Sequence, residues 1–182
     1  MNIDELVKKA AQTIPRADEH FCLGRGADGL VYAIDENAVL KLHLGWLEDG
    51  VRQYYRGSSR ESADYEFKIG SDLHRQGVQV PQYFGLFEPI KLSFWGAFTK
   101  KICGAPPPLK CWGVFMERIH GVRLGALSNL PSIEAAHQYH KQKKLISKLG
   151  YAPYDNYIHK NTLFDVKKNR LFLYDLVRWE KK

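Results

Sequence analysis

The sequence is poor in cysteine and lacks any long hydrophobic run. Its 182 residues include 3 cysteines, Cys22, Cys103 and Cys111, none in the paired C-x-x-C spacing of a zinc site. This number is too small for the disulfide framework of a small secreted domain. Charged residues interrupt every apolar stretch well before the roughly 18 residues of a membrane span, and the N-terminus lacks the apolar centre of a signal peptide. We therefore expect a soluble protein of a reducing compartment, without a membrane partner.

The sequence has more basic than acidic residues. Its 27 Lys and Arg against 20 Asp and Glu give a formal charge of +7, which favours anionic partners without choosing among them. A predicted helix carries several lysines between residues 137 and 148, but no nucleic-acid-binding motif accompanies them. We expect no nucleic-acid partner. The length allows one domain with its own core.

Hydrophobic periodicity and turn residues predict a mixture of helices and antiparallel strands. The predicted helices cover residues 2–13, 59–77 and 132–149, and the predicted strands cover residues 21–23, 30–34, 38–42, 78–87, 92–98, 112–119, 162–164 and 171–174. Short turns join the first three strands, so these should form a consecutive antiparallel set. The prolines at 106–108 predict a loop.

A glycine-rich loop lies between the first two predicted strands. Residues 24–31 follow the pattern G-x-G-x-x-G-x-V. A hairpin that covers phosphates needs glycines, because a Cβ would block the approach of backbone N–H groups to the oxygens. A plain turn would also explain the glycines, whereas a dinucleotide-binding loop is disfavoured because no helix follows. The candidate binding residues here are Gly24, Arg25, Gly26, Gly29 and Val31.

A lysine and a glutamate extend this pattern. Lys41 ends an apolar strand, where burial is costly unless the ammonium meets an anion; the alternative is a lysine that reaches water at a sheet edge. The following helix offers Glu61 and Glu66 as its partner. We choose Glu66, because Phe67 and Leu73 would then pack beneath the sheet. This order of elements is similar to the nucleotide-binding part of protein kinases.

The strand at 112–119 resembles the hinge strand that leads out of the smaller kinase lobe. That resemblance implies adenine contacts from the main chain of Glu117 and Ile119, with Met116 at the back of the pocket. Ordinary core packing would equally explain Met116.

Two later segments resemble the rest of a kinase site. Residues 151–165 resemble the catalytic loop H-x-D-x-x-x-x-N, with Asp155 aligning the acceptor hydroxyl and Asn161 binding Mg²⁺. Residues 171–177 resemble the strand and D-F-G metal site. Asp175 is the second metal ligand, while Leu176 and Val177 replace the Phe and Gly of that motif.

The catalytic loop departs from the kinase pattern. Pro153 replaces its histidine, and the interval from Asp155 to Asn161 is one residue longer than the motif. Strict spacing selects Asn156, an amide that cannot accept a proton. Either a one-residue bulge makes Asp155 the catalytic residue, which we favour, or the protein is a pseudokinase.

The ordered set as a whole spans residues 21–177 and resembles the protein kinase superfamily. The resemblance implies an α+β protein-kinase-like fold in a single minimal domain. Residues 1–117 would form an antiparallel N-lobe with its C-helix, and residues 118–182 a strongly truncated helical C-lobe. Seven residues follow Asp175, too few for an activation loop or peptide-docking helices.

Among minimal kinases the sequence looks most similar to the HopBF family of bacterial type III secretion effectors. That resemblance implies a Ser/Thr protein kinase that uses ATP and Mg²⁺, is secreted into the host cytoplasm, and inactivates the chaperone Hsp90 by phosphorylation. Lys41, oriented by Glu66, would neutralise the α and β phosphates beneath the glycine-rich loop. We expect a monomer.

Two other functions stay open at this point. One is a nucleotide-binding pseudokinase that acts as an interaction module, motivated by Pro153 and Asn156. The other is a small-molecule phosphotransferase of the aminoglycoside-kinase type, which usually needs a larger helical lobe with an acidic pocket for its substrate.

Overall fold

The computed structural model describes residues 2–14, 22–25, 29–43, 59–89, 111–127, 130–153, 161–176 and 179–181. Its helices are α1 (Ile3–Thr13), α2 (Ser59–Arg75) and α3 (Leu130–Lys148), with a 3-10 turn at Leu124–Ala126. Its strands are β1 (Cys22–Arg25), β2 (Gly29–Ala33), β3 (Ala38–His43), β4 (Tyr83–Phe87), β5 (Gly113–Glu117), β6 (Val122–Arg123), β7 (Tyr151–Pro153), β8 (Thr162–Asp165), β9 (Arg170–Leu173) and β10 (Trp179–Lys181).

The chain divides into two structural units. The first contains Met1–Phe67 and Tyr83–Arg118, and the second contains Lys68–Gln82 and Ile119–Lys182. That both belong to a single kinase domain stays a prediction. No helix among the residues that the structure describes is long and apolar enough to cross a membrane.

A five-stranded antiparallel sheet forms the first unit, in the order β1-β2-β3-β5-β4. The predicted set of three consecutive antiparallel strands is confirmed. All six residues of the central strand β3 are buried, as expected for a strand with neighbours on both edges and both faces covered. Lys41 lies in this strand, opposite Val31 of β2 and Val114 of β5.

Helix α1 packs its apolar side onto this sheet, and the predicted amphipathic opening helix is confirmed. The Asn2 side chain accepts a 3.0 Å hydrogen bond from the backbone N–H of Asp4 and caps the helix. The buried residues of the helix join one hydrophobic core with residues of four strands. That core contains Leu6, Ala10, Ile14, Leu30, Tyr32, Ile34, Ala38, Leu40, Leu42, Phe87 and Phe115.

The second unit is built from α3, a three-stranded sheet of order β6-β8-β9, and the pair β7–β10. Glutamines of α3 bind backbone groups beside it. Gln138 accepts from the N–H of Leu171 and donates to the carbonyl of Asn169, each at 3.0 Å. Gln142 is buried and accepts from the N–H of Gln79 at 2.9 Å. These bonds satisfy backbone groups that the short strands leave unpaired.

Some predicted elements differ from the structure. The strand expected over residues 78–87 covers only Tyr83–Phe87, because Pro81 cannot donate to a ladder and Gln79 binds through its carbonyl to the N–H of Leu173 at 2.8 Å. Residues 78–82 are therefore not part of a strand. The predicted strand at 92–98 and the proline loop at 106–108 lie outside the described residues.

We expect Phe115→Ala to destabilise the protein by about 3–5 kcal/mol, the usual cost of deleting a buried phenylalanine. Phe115 is fully buried and meets Phe87 edge-to-face at 5.7 Å between ring centroids. Urea denaturation followed by circular dichroism measures the change. Ile133→Ala, at a position 67% exposed on α3, serves as the control and should stay within about 0.5 kcal/mol of the wild type. Equal effects of the two substitutions would contradict the assigned core.

Candidate functional site

An ion pair between Lys41 and Glu66 is buried inside the first unit. The Lys41 Nζ lies 2.8 Å from Glu66 Oε2, and the two side chains are 8% and 0% exposed. Strand β3 presents the lysine and helix α2 presents the glutamate. The structure thus brings together the two residues that the sequence analysis paired.

Helical periodicity explains why Glu66, and not Glu61, meets the lysine. Ala63, Glu66 and Leu73 are buried at intervals that place them on one side of α2, whereas Glu61 is exposed. The start of the helix is attached to the residue that precedes β5, because the N–H of Trp112 donates to Ser59 Oγ at 3.2 Å. This attachment helps to hold the buried side of α2 toward the sheet.

Two further side chains contact the carboxylate of Glu66. The Tyr83 hydroxyl donates to Oε1 at 3.5 Å, and His43 Nε2 lies 3.1 Å from Oε2. The sequence analysis missed both. His43 could have been found from strand alternation, because it is two residues beyond Lys41 and therefore points to the same face of β3.

The charge of Glu66 is maintained by its neighbours. Burial alone would raise the pKa of this carboxyl group, but attraction by Lys41 and the contact with His43 lower it from 4.5 to about 2. Glu66 is therefore ionised at neutral pH and remains a partner for the lysine.

The glycine-rich segment lies on the hairpin of β1 and β2, where Gly24 pairs with Val31 and Arg25 with Leu30. Gly26 lies outside the described residues. A Cβ on Gly29 would come within 2.3 Å of the Leu42 carbonyl oxygen, so packing alone requires that glycine. A Cβ on Gly24 would meet no atom within 4 Å. Contacts with the described residues therefore do not explain Gly24, which is consistent with a ligand that approaches its backbone.

The predicted hinge residues follow one another at the end of β5. Met116 is buried and pairs with Val39 and Tyr83, and Glu117 pairs with Ala38. The next N–H, that of Arg118, donates to the Asn37 carbonyl at 2.8 Å. Ile119 follows in the second unit. Adenine binding by Met116, Glu117 and Ile119 stays a prediction.

The two predicted metal ligands lie beside each other in the second unit. Strands β8 and β9 pair with Thr162 opposite Leu173, and the N–H of Tyr174 donates to the Asn161 carbonyl at 3.0 Å. Asp175 therefore directly follows Tyr174, the residue whose N–H is bonded to Asn161. Asp175 has φ of +62°, a conformation that costs free energy for any residue but glycine and that aspartate tolerates better than most.

The chemistry of this pair fits Mg²⁺, which prefers carboxylate and amide oxygens and usually keeps several waters. Within the described ranges, no group of three or more His, Cys, Asp or Glu residues could hold a metal ion. Of the described residues, Asn161 and Asp175 would be the protein ligands of a metal at this place.

The predicted catalytic Asp155 and the alternative Asn156 lie outside the described residues. The structure describes the strand before them: Pro153 ends β7 and pairs with Trp179 of β10. In sequence, β7 ends two residues before the predicted catalytic Asp155, and β10 begins four residues after Asp175.

Comparisons with known proteins support the predicted protein-kinase-like fold. No model of a known protein family matches the sequence, and no curated protein matches it. Among solved structures, the Rio2 kinase from Chaetomium thermophilum, described as an ADP/Mg²⁺-phosphoaspartate complex, matches with a TM-score of 0.51 and 19% identity. The match covers 87% of this chain and 47% of the Rio2 chain.

The chain has a protein-kinase-like fold. The predicted α+β class is confirmed, with an antiparallel sheet and a small helical part. The chain spans about half the length of the Rio2 kinase structure. The comparison therefore establishes the kinase-like fold, while membership of the HopBF family stays a prediction.

We expect the ion pair to make stability depend on acid pH. Because the folded-state pKa of Glu66 is lowered from 4.5 to about 2, its contribution is complete above pH 4.5 and is lost as the pH falls toward 2. Linkage puts this loss at about 3 kcal/mol. The free energy of unfolding, measured by urea denaturation at a series of pH values, should fall less steeply at acid pH for Glu66→Gln than for the wild type.

Glu61→Gln, on the exposed side of the same helix, is the matched control and should keep the acid decline of the wild type. If Glu66→Gln shows the same decline as the wild type, Glu66 is not the group responsible.

Proposed function

We propose that this protein is an ATP- and Mg²⁺-dependent phosphotransferase that phosphorylates serine or threonine residues of a protein. The observation that carries the proposal is the buried ion pair between Lys41 and Glu66 in a sheet whose first hairpin carries the glycine-rich segment. The kinase-like fold supports it, since it is the same fold as that of a structure described as an ADP/Mg²⁺ complex.

Stability alone is a poor explanation for the ion pair. Desolvating two charges costs several kcal/mol per ion, and well-packed apolar residues of similar volume often stabilise a protein as much or more. Of the other five residues of β3, four are apolar: Ala38, Val39, Leu40 and Leu42. A lysine in this strand is therefore better explained by an anionic ligand.

Each residue has a role in the proposed reaction. Lys41, oriented by Glu66, would neutralise the α and β phosphates, and the backbone at Gly24 would approach phosphate oxygens. Asn161 and Asp175 would hold Mg²⁺, which neutralises charge on the phosphates. Asp155 would accept the proton of the acceptor hydroxyl. The hydroxyl oxygen would bond to the γ-phosphorus as the bond from that phosphorus to ADP breaks.

A pseudokinase that binds nucleotide without phosphoryl transfer is the second candidate. One observation favours it: Pro153 stands where the catalytic-loop motif has histidine, and it is held in strand β7 opposite Trp179. In the alternative alignment, strict spacing counted back from Asn161 places the amide of Asn156 where a carboxylate is required.

The finer proposal concerns the substrate and the setting. We propose that the protein is a type III secretion effector of the HopBF family that acts in the host cytoplasm and inactivates Hsp90. Its support is the sequence resemblance and the formal charge of +7, which suits an acidic protein partner.

We expect the purified protein to transfer radiolabelled phosphate from ATP to a protein acceptor only with Mg²⁺. Lys41→Met should reduce transfer about 100-fold or more, the usual cost of losing a charge that stabilises the transition state. Asp175→Asn should do the same and raise the Mg²⁺ requirement, and asparagine tolerates the positive φ of this position, so the fold is kept.

Lys8→Met, at an exposed position of α1, is the control and should retain wild-type transfer. Asp155→Ala separates the two candidates. Tight ATP binding by the wild type without transfer supports the pseudokinase, whereas transfer that disappears in Asp155→Ala supports the kinase.

In a eukaryotic lysate with ATP and Mg²⁺, we expect Hsp90 to be the main labelled protein, and on serine or threonine. Mass spectrometry of phosphopeptides from reactions with the wild type and Asp175→Asn identifies the substrate. Labelling of other proteins alone would contradict the Hsp90 proposal while leaving the phosphotransferase activity intact.

A further inference from the structure

His43 is a buried imidazole at the end of the strand that carries Lys41. It is 1% exposed, and its Nε2 lies 3.1 Å from the same oxygen, Glu66 Oε2, that Lys41 contacts at 2.8 Å. No step of the proposed phosphoryl transfer involves this residue.

The position of His43 is set by the sheet. Its N–H donates to the Trp112 carbonyl at 2.9 Å, and the residue pairs with Gly29 of β2. Its side chain therefore points into the site because of the strand register. Within the described residues, neither ring nitrogen makes an aligned hydrogen bond, although Nε2 is close enough to Glu66 for a strong electrostatic contact.

This arrangement is unusual for a residue that only fills the core. Buried polar groups normally have hydrogen-bond partners, and an apolar side chain would fill the same space without the cost of desolvating an imidazole. The other strand residues near the pair, Leu40 and Leu42, are apolar and buried. Among the described residues, the titratable side chains around this carboxylate are Lys41 and His43 at Glu66 Oε2 and Tyr83, whose hydroxyl donates to Oε1 at 3.5 Å.

We propose that His43 is a positioning residue for Glu66. It contacts Oε2 of the carboxylate while the Tyr83 hydroxyl contacts Oε1, and it so keeps Lys41 oriented for nucleotide phosphates. The inference rests on the proposed nucleotide-binding function. Lys41 and His43 share Oε2 while Tyr83 contacts Oε1, so rotation of the carboxylate would break contacts at both oxygens. Residues that orient a binding group in this way commonly change affinity 10- to 100-fold when they are replaced.

Two substitutions separate positioning from core filling. His43→Leu keeps a side chain of similar volume without a polar group, and His43→Gln keeps an N–H donor. We expect His43→Leu to weaken binding of Mg²⁺-ATP about tenfold, measured by calorimetry, and to raise KM for ATP more than it lowers kcat. His43→Gln should restore most of the affinity. If both variants bind ATP as the wild type does, or lose affinity equally, the inference is wrong.

A double-mutant cycle with Glu66→Gln tests whether His43 acts through Glu66. In that background His43→Leu should cause no further loss of affinity. An equal loss with and without Glu66 would show that His43 acts elsewhere and would overturn the inference. Should His43→Leu fail to fold, as seen by thermal unfolding, His43→Val takes its place, because a β-branched residue suits a strand.

One measurement does not depend on nucleotide at all. The ¹³C NMR titration of the Glu66 carboxyl group should show a higher pKa in His43→Leu than in the wild type, because the contact with His43 helps to lower it. An unchanged titration would refute the inference even if ATP binds. Failure of the wild type to bind ATP would instead refute the proposed function, while this titration still tests the contact.

Discussion

The central constraint in the first unit is the cost of burying Lys41 and Glu66 together. Each ion loses several kcal/mol of hydration, and removing one partner leaves the other charge uncompensated. The pair therefore requires a central strand and an attached helix that place 2.8 Å between the two atoms. The fully buried strand β3 fixes the position of Lys41, and the bond from Trp112 to Ser59 helps to fix the helix that carries Glu66.

The same physics explains which parts could be predicted from the sequence. Helices α1 and α2 have the periodicity of elements that bury one face, whereas β3 is a short apolar run bounded by turn residues, as expected for a strand buried on both faces. A lysine in such a strand demands an anion. The choice of Glu66 over Glu61 followed from the apolar positions around it. Strands β6, β7 and β10 have only two or three residues, too few for a period to be visible, and they form through pairing partners far away in the sequence.

Residues 78–82 show a different limit of sequence analysis. Val78 and Val80 are buried like strand residues, but the backbone of Gln79 makes single bonds, to the Gln142 side chain and to Leu173 of β9, and does not form a strand ladder. Such single bonds leave no pattern in the local sequence. His43 was missed although a local pattern exists, because strand alternation places it on the same face as Lys41. Only the structure shows that the carboxylate of Glu66 contacts both residues.

The structure also separates residues that packing requires from residues that packing leaves unexplained. Gly29 is needed because any Cβ would collide with the Leu42 carbonyl, whereas a Cβ on Gly24 would meet no atom of the described residues within 4 Å. Asp175 adopts a positive φ at a position where glycine would be less strained. Aspartate tolerates this conformation better than most residues with a Cβ, which reduces the cost at this position. Packing among the described residues thus leaves Gly24 unexplained, while Asp175 and Lys41 occupy a backbone conformation and a buried position that each cost free energy.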